Sequence, residues 1–252
     1  MLSHTKRAIQ AVFRVLGLEI YRRGRAPSPY AALARELELR GISTVFDIGA
    51  NVGQFAESMR RSGYRGRIIS IEPLPAAHAE LLKRAKRDSS WLVHPRGAAT
   101  RSGGTIVINV SSNSVSSSPL EMLPSHVSAA PESMTVAKVE CMSWPLDEIV
   151  GQYCHRLEPV FVKVDTQGFE AEVLAGGTAT IEQAQGLMLE LSLVPLYEGQ
   201  SLWRTLVDQL EDRGLQIWRI DPAFEDRTTG QTLQVDAMFF RHLSPDENHE
   251  AR

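Results

Sequence analysis

The chain is poor in cysteine, in long apolar runs and in net charge, and each shortage removes a class of protein. Cys141 and Cys154 are its only cysteines. They are too few for a disulfide framework and lack metal-ligand spacing, so a reduced, cytoplasmic setting is expected. No stretch of about 18 apolar residues occurs, so no membrane span is expected. A net charge of −3 gives no reason to expect nucleic acid as a partner. Residues 1–27 differ, carrying Lys6, Arg7, Arg14, Arg22, Arg23 and Arg25 against one acid, Glu19. Gln10 and Arg14 break the apolar stretch there, so it reads as a basic amphipathic helix rather than a signal-peptide core. Packing or homodimer formation is the expected role, with a membrane surface or acidic partner as the alternative.

What the chain does contain is 43% hydrophobic residues, ordinary for a globular domain, in strands that alternate with helices. A helical leader over 1–40 precedes a domain over 41–243, and a polar tail covers 244–252. Apolar runs predict strands at Thr44–Ile48, Ile68–Glu72, Trp91–His94, Val160–Val164 and Gly186–Leu191. Helices are predicted near Tyr30–Arg40, over Gln54–Ser62, Pro73–Arg87 and Ser201–Arg213, and from Phe169 onward. Two further strands follow, Leu215–Ile220 and Val235–Phe240. The link between them, Asp221–Gln234, is too short and polar for a crossover helix, so the last strand should run antiparallel. The fold expected is α/β, a Rossmann-like sheet of seven strands with helices on both faces. An insertion over about 100–142 separates strands three and four. In it Thr105–Val110 and Thr135–Cys141 alternate as a β-hairpin. The serine run Ser111–Ser118 between them reads as either a flexible linker or a lid over the ligand edge of the sheet.

The first strand runs into Asp47-Ile-Gly-Ala-Asn-Val-Gly53, and a helix opens at Gln54. Glu72 ends the second strand. Such a turn lets the backbone approach a nucleotide-like ligand, and an acid on the next strand takes the ribose hydroxyls. The candidate cofactor residues are Asp47, Gly49, Ala50, Asn51, Gly53, Gln54, Glu72, Pro73 and Ala98, the last small enough to admit a flat base. Acids also end the later strands: Asp165, Glu190 and Asp236. Clustered acids disfavour a diphosphate and suit a phosphate-free cofactor with a positive centre, which S-adenosyl-L-methionine is. Methyl transfer to a hydroxyl then needs a base, a metal or both. Asp165 is the first candidate for base. With Glu190 and Asp236 it is also the candidate ligand set for Mg²⁺, whereas capping of the following helix is its structural alternative. Lys163, on the same strand face, is a further catalytic candidate that more readily pairs with an acid. His126, in the insertion, is placed within reach of the acceptor or left as an unpaired surface histidine.

With those residues in view, the chain resembles the FkbM family of S-adenosylmethionine-dependent methyltransferases over about residues 40–242. The matching segments are Asp47–Phe55, Glu72-Pro73, Leu146-Asp147-Glu148, Lys163–Glu170, Val173-Leu174, Gly176, Leu189-Glu190-Leu191, Tyr197 and Val235-Asp236. The resemblance implies a class I methyltransferase sheet with its last strand antiparallel. It also implies O-methylation of a small hydroxylated acceptor, a saccharide or a polyketide-type metabolite. One departure stands out: the family usually has an acid before the glycine of the Lys163–Glu170 segment, and this chain has Gln167. Two other readings compete. A nicotinamide-dependent oxidoreductase would want Gly-x-Gly-x-x-Gly and a Tyr-x-x-x-Lys pair, which are missing. A non-catalytic cofactor-binding module would not need acids kept at every strand end.

Overall fold

The structure is a computed structural model that describes residues 28–155 and 158–242. The basic helix expected within 1–27 and the tail over 244–252 lie outside the described residues. In chain order the elements begin with α1 (Pro29–Leu39), β1 (Thr44–Ile48), α2 (Gln54–Arg61), β2 (Arg67–Ile71), α3 (Pro75–Ala85) and β3 (Trp91–Val93). Then come β4 (Gly97–Thr100), β5 (Gly104–Ser111), α4 (Pro124–Ala129), β6 (Thr135–Pro145) and α5 (Leu146–Gly151). The second half holds β7 (Val160–Val164), α6 (Glu170–Ala175), α7 (Thr178–Gln183), β8 (Gly186–Ser192), α8 (Trp203–Glu211), β9 (Leu215–Glu225) and β10 (Thr232–Arg241). The main sheet has seven strands in the order β3-β2-β1-β7-β8-β10-β9. Neighbours from β3 to β8 are parallel, and β10 is antiparallel to both β8 and β9, as the sequence led one to expect. The order reverses direction between β1 and β7, where an open α/β sheet leaves a crevice for a ligand.

Alternation along each central strand feeds two cores. Val45 and Phe161 pack on one face with Leu33 and Leu37 of α1 and Phe55, Ala56 and Met59 of α2. Phe46, Ile48, Val162 and Val164 pack on the other with Val173 and Leu206. Each large side chain buried this way is worth about 1.5–3 kcal/mol, and coverage on both faces is why β1 and β7 read as continuous apolar runs. The pattern has one break. Asp47 and Lys163 occupy the slots that follow Val45 and Phe161 on the first face, and they are register partners across β1 and β7. Two charges therefore enter a core side by side, at the strand ends nearest the crevice.

Two features depart from the sequence reading. β9 and β10 are longer than expected, so the link shrinks to residues 226–231, closed by the Gly230 N–H donating to the Asp226 carbonyl at 2.8 Å. The insertion holds three strands rather than two, because β4 pairs parallel with β6 beside the expected hairpin. Gly97-Ala-Ala carries little strand signal. Gly97 is there because a Cβ would meet the Trp144 ring at 2.3 Å. The serine run is not an open linker: the Ser111 N–H donates to Ser117 Oγ at 2.9 Å and the Ser116 N–H to Asn113 Oδ1 at 3.1 Å.

Candidate active site

Two turns meet at the reversal point, β1 to α2 and β7 to α6. Gly49 adopts φ +76°, and a Cβ there would lie 1.9 Å from the Asp165 carbonyl oxygen, so only glycine fits. Gly53, at φ +94°, would place a Cβ 2.6 Å from Trp91. The sequence assigned both glycines to approach of the backbone to a ligand. Gly49 does line the crevice, but Gly53 faces Trp91 and Leu81 and serves packing. The crevice holds about 1040 Å³ of empty space, part of it open to solvent. Of the expected cofactor residues, Gly49, Ala50, Asn51, Gln54, Glu72, Pro73 and Ala98 line it, and Asp47 and Gly53 do not.

Glu72 is 3% exposed. Its Oε1 accepts the Leu74 N–H at 2.7 Å and its Oε2 the Asn51 N–H at 2.8 Å. Burial pushes its carboxyl up to about 7 against the pull of those two amides. Each oxygen keeps a lone pair for a further donor, such as a ribose hydroxyl. Ile48, Ile71, Leu74, Ala98 and Ile108 supply apolar wall for a base. The charged residues lining the crevice are Glu72, Asp165 and Asp236 against Lys163. That donor set fits S-adenosylmethionine, with its ribose, its positive sulfonium and its lack of phosphate. The serine run reaches the same space: Ser114, Val115 and Ser117 line it, and the Asn51 side-chain amide donates to Ser114 Oγ at 3.2 Å.

Lys163 sits at the centre of the acids. Its Nζ donates to the Gly49 carbonyl at 3.0 Å and lies 3.4 Å from Asp165 Oδ2. It is also 3.0 Å from Asp47 Oδ1, close enough for an ion pair though not aligned as a directed hydrogen bond. Burial works to lower the lysine's pKa, but Asp47 and Asp165 outweigh it and the net shift is upward, so Lys163 stays an ammonium. Asp47, with no exposed surface, has its carboxyl raised by burial and held down by Lys163. Asp165 is the accessible member, its side chain 35% exposed at the crevice. The turn after it is closed by another acid: Glu170 Oε1 accepts from the Thr166 N–H, the Thr166 hydroxyl and the Gly168 N–H at 2.9, 3.1 and 3.2 Å. Asp165 makes no side-chain cap bond to α6, and its carboxylate stays at the crevice in contact with Lys163 and Gln167.

The metal expected on Asp165, Glu190 and Asp236 does not fit this arrangement. The Gln167 side-chain amide lies between the first two, donating to Asp165 Oδ1 at 3.0 Å and to Glu190 Oε2 at 2.5 Å. Gln234 donates to the same Glu190 oxygen at 2.8 Å. Among the described residues no three His, Cys, Asp or Glu side chains are grouped to hold a metal ion. Glu190 does not line the crevice, and its carboxyl is raised well above the usual range, first by burial and then by Asp165. Asp236 does line it, pushed up to about 7 by burial and by Asp165. His126 is also not where an acceptor-facing residue would be. It is 2% exposed, set against the rings of Tyr197 and Phe224 at 5.1 and 5.2 Å, and burial lowers it to about 4.

Several lining residues were absent from the sequence reading. Tyr30 of α1 lines the crevice together with Asp165 and Asp236, with the Phe55 ring at 5.9 Å. Its spacing to Leu33, Ala34 and Leu37 marks the buried stripe of a helix and was the signal available. Phe169 and Thr166 complete that side.

The model of the "Methyltransferase FkbM domain" matches residues 47–217. The chain belongs to the FkbM family of methyltransferases. The matched span of this FkbM domain starts at Asp47 and includes Glu72, Asp165, Gln167 and Glu190, but ends before Asp236. No curated protein matches the chain. Among solved structures, it is similar to Aeropyrum pernix fibrillarin in complex with natively bound S-adenosyl-L-methionine. That match has 12% identity and a TM-score of 0.44, over 79% of this chain and 66% of that one. A putative methyltransferase from Thermobifida fusca is 12% identical with a TM-score of 0.48, over 85% of this chain and 79% of that one. EvdMO1 is 13% identical with a TM-score of 0.40, over 94% of this chain but 47% of its own length. No described helix is long and apolar enough to cross a membrane.

Proposed function

We propose that this FkbM-family protein transfers the methyl group of S-adenosylmethionine to a hydroxyl oxygen of a small acceptor, a saccharide in the first instance. The observation that carries the reading is the placement of Asp165. It is the accessible carboxylate at the crevice, one turn-to-turn contact from Gly49 and in the same space as Glu72. The bound cofactor supplies an electrophilic methyl carbon. Glu72 holds the ribose hydroxyls, and the Gly49–Asn51 turn offers its backbone. Asp165 would accept the proton that the acceptor hydroxyl gives up as its oxygen bonds to the methyl carbon, while the methyl–sulfur bond breaks and its electron pair stays on sulfur, leaving S-adenosylhomocysteine. Lys163, an ammonium set between Asp47 and Asp165, holds Asp165 in place rather than acting as a base itself. No step is assigned to a metal, since an amide occupies the gap between Asp165 and Glu190.

A polyhydroxylated ring suits the acceptor side for two reasons. Asp165, Asp236 and the Tyr30 hydroxyl offer several hydrogen-bonding groups in one wall, and Tyr30, Phe55 and Phe169 offer aromatic surface for the C–H face of a sugar. A hydroxylated polyketide-type metabolite is the second reading, favoured by the same aromatic wall. Both cysteines are free thiols, in keeping with a reducing compartment. Screening defined sugars and hydroxylated polyketides for methyl transfer identifies the acceptor class. With an acceptor in hand, Asp165→Asn is expected to lower kcat by roughly 10²–10⁴-fold. S-adenosylhomocysteine affinity by calorimetry should stay within about threefold of the parent. Turnover that survives the substitution would remove Asp165 as the base.

A further inference from the structure

Gln167 is held more firmly than a surface glutamine in a turn needs to be. Its backbone adopts φ +57°, a left-handed conformation that a non-glycine residue keeps only where its surroundings impose it. Ser118 Oγ donates to its carbonyl at 2.7 Å. The Tyr197 hydroxyl, itself 3.0 Å from the Ser116 carbonyl, lies 2.9 Å from Gln167 Oε1. With the amide oxygen fixed by Tyr197, the amide nitrogen has one orientation left, and it points its two hydrogens at two carboxylates, one to Asp165 and one to Glu190. Burial and the nearby Asp165 carry the Glu190 carboxyl toward its protonated form, and a cation is the usual alternative for bringing two such groups to one point.

We infer that the Gln167 amide does in this chain the bridging work of a divalent cation, joining Asp165 to Glu190 and fixing the direction in which Asp165 presents its carboxylate to the acceptor. The inference rests on the reading of Asp165 as proton acceptor. A cation at that point would orient Asp165 but draw electron density from it, leaving a weaker base. An amide orients it through one hydrogen bond and adds no positive charge to that of Lys163. Lys163 holds the other oxygen, Oδ2, from the opposite side. The carboxylate is thus gripped at both oxygens, by an amide and an ammonium. The serine run is the outer support, since Ser116 and Ser118 reach Gln167 directly or through Tyr197. Gln167 is therefore a positioning residue.

The test is a manganese titration followed by electron paramagnetic resonance on the full chain, with S-adenosylhomocysteine calorimetry on each sample. The parent protein is expected to show no saturable Mn²⁺ site. Gln167→Glu, which places a third carboxylate between Asp165 and Glu190, is expected to bind one Mn²⁺ at least about tenfold more tightly than the parent. Adding Glu190→Gln to it should remove that gain. Gln167→Ala clears the bridge without adding charge and should show a weaker gain. Saturable Mn²⁺ binding by the parent that Asp165→Asn abolishes would overturn the inference. So would the absence of any gain in both Gln167 variants while S-adenosylhomocysteine affinity is kept. Failure of the parent to bind S-adenosylhomocysteine would count against the methyltransferase reading instead, and the manganese result would still decide the bridge.

Discussion

Removing the ammonium of Lys163 would leave Asp47 inside the first core with no counter-charge, because Lys163 is the cation beside it. Lys163→Met is expected to cost about 3–5 kcal/mol in urea unfolding, the usual penalty for orphaning a buried ion. Neutralising the partner as well, Asp47→Asn with Lys163→Met, should recover much of that loss. A single variant as stable as the parent would mean that the pair carries no structural weight. Glu72 makes a different prediction, since its carboxylate is held by two backbone amides whether or not a cofactor is bound. Glu72→Ala should weaken S-adenosylhomocysteine binding by about 1.5–3 kcal/mol, the worth of hydrogen bonds to a charged group. Unchanged affinity by calorimetry would withdraw the ribose assignment.

At the scale of elements, the serine run and the β7–α6 turn stand or fall together, because Tyr197 and Ser118 tie one to the other. Tyr197→Phe removes the one phenolic hydrogen that the Ser116 carbonyl and Gln167 Oε1 share and should cost about 1–2 kcal/mol, with faster proteolysis within residues 111–118 as the local readout. Proteolysis at the parent rate would mean the loop is held by other contacts. Gly49→Ala would drive a methyl group into the Asp165 carbonyl at a positive φ, a cost of about 3 kcal/mol or more. The elements legible in the sequence were those whose environment is uniform. β1 and β7 are covered on both faces and so are mostly apolar, with Asp47 and Lys163 the charged exceptions, and the Asp47–Gly53 turn is local. β4 was not legible because its first residue, Gly97, is small for a packing reason set by Trp144, far along the chain. The full length of β9 was hidden because it is an edge strand with much of its surface exposed. His126 was misplaced because α4, a helix of six residues, is too short for a spacing pattern to mark which side faces inward. The Gln167 bridge depends on Tyr197 and Glu190 arriving from separate elements, which no local pattern records. Asp147, in one of the segments that carry the family likeness, serves structure: its carboxylate accepts the Ala179 and Thr180 N–H groups at the start of α7.

Across the whole molecule, the crowded acids set the response to pH. Burial is the largest cause that raises Glu72, Glu170 and Asp236 to about 7, from ordinary values of 4.5, 4.5 and 3.8. Between those ordinary values and about 7 the folded chain holds protons that the unfolded chain has released, so stability falls as pH rises through the window. His126, lowered from 6.5 to about 4, and His94, also lowered, work the other way, since they must be neutral to stay buried. The raised Lys163 contributes stability that is fully present below its ordinary 10.5 and so is constant across this range. Three carboxyls against two imidazoles should leave the ligand-free protein with a lower Tm at pH 7.5 than at pH 5.5, read by scanning calorimetry. S-adenosylmethionine, a cation, should narrow the gap. A Tm that rises with pH across the window would mean that these carboxyls are already ionised in the fold.

The contact between Gly49 and the Asp165 carbonyl has a thermodynamic corollary. On the reading proposed above, the segment that would receive the methyl donor and the segment that would present the base pack so closely that no Cβ fits at Gly49, and they are expected to shift together. Any free energy by which an acceptor resettles Asp165 must return, by the same factor, as a change in donor affinity. The two substrates are then not independent guests. Each should tighten or loosen the other's hold, and calorimetric titration of one in the presence of the other would measure that exchange without a single turnover.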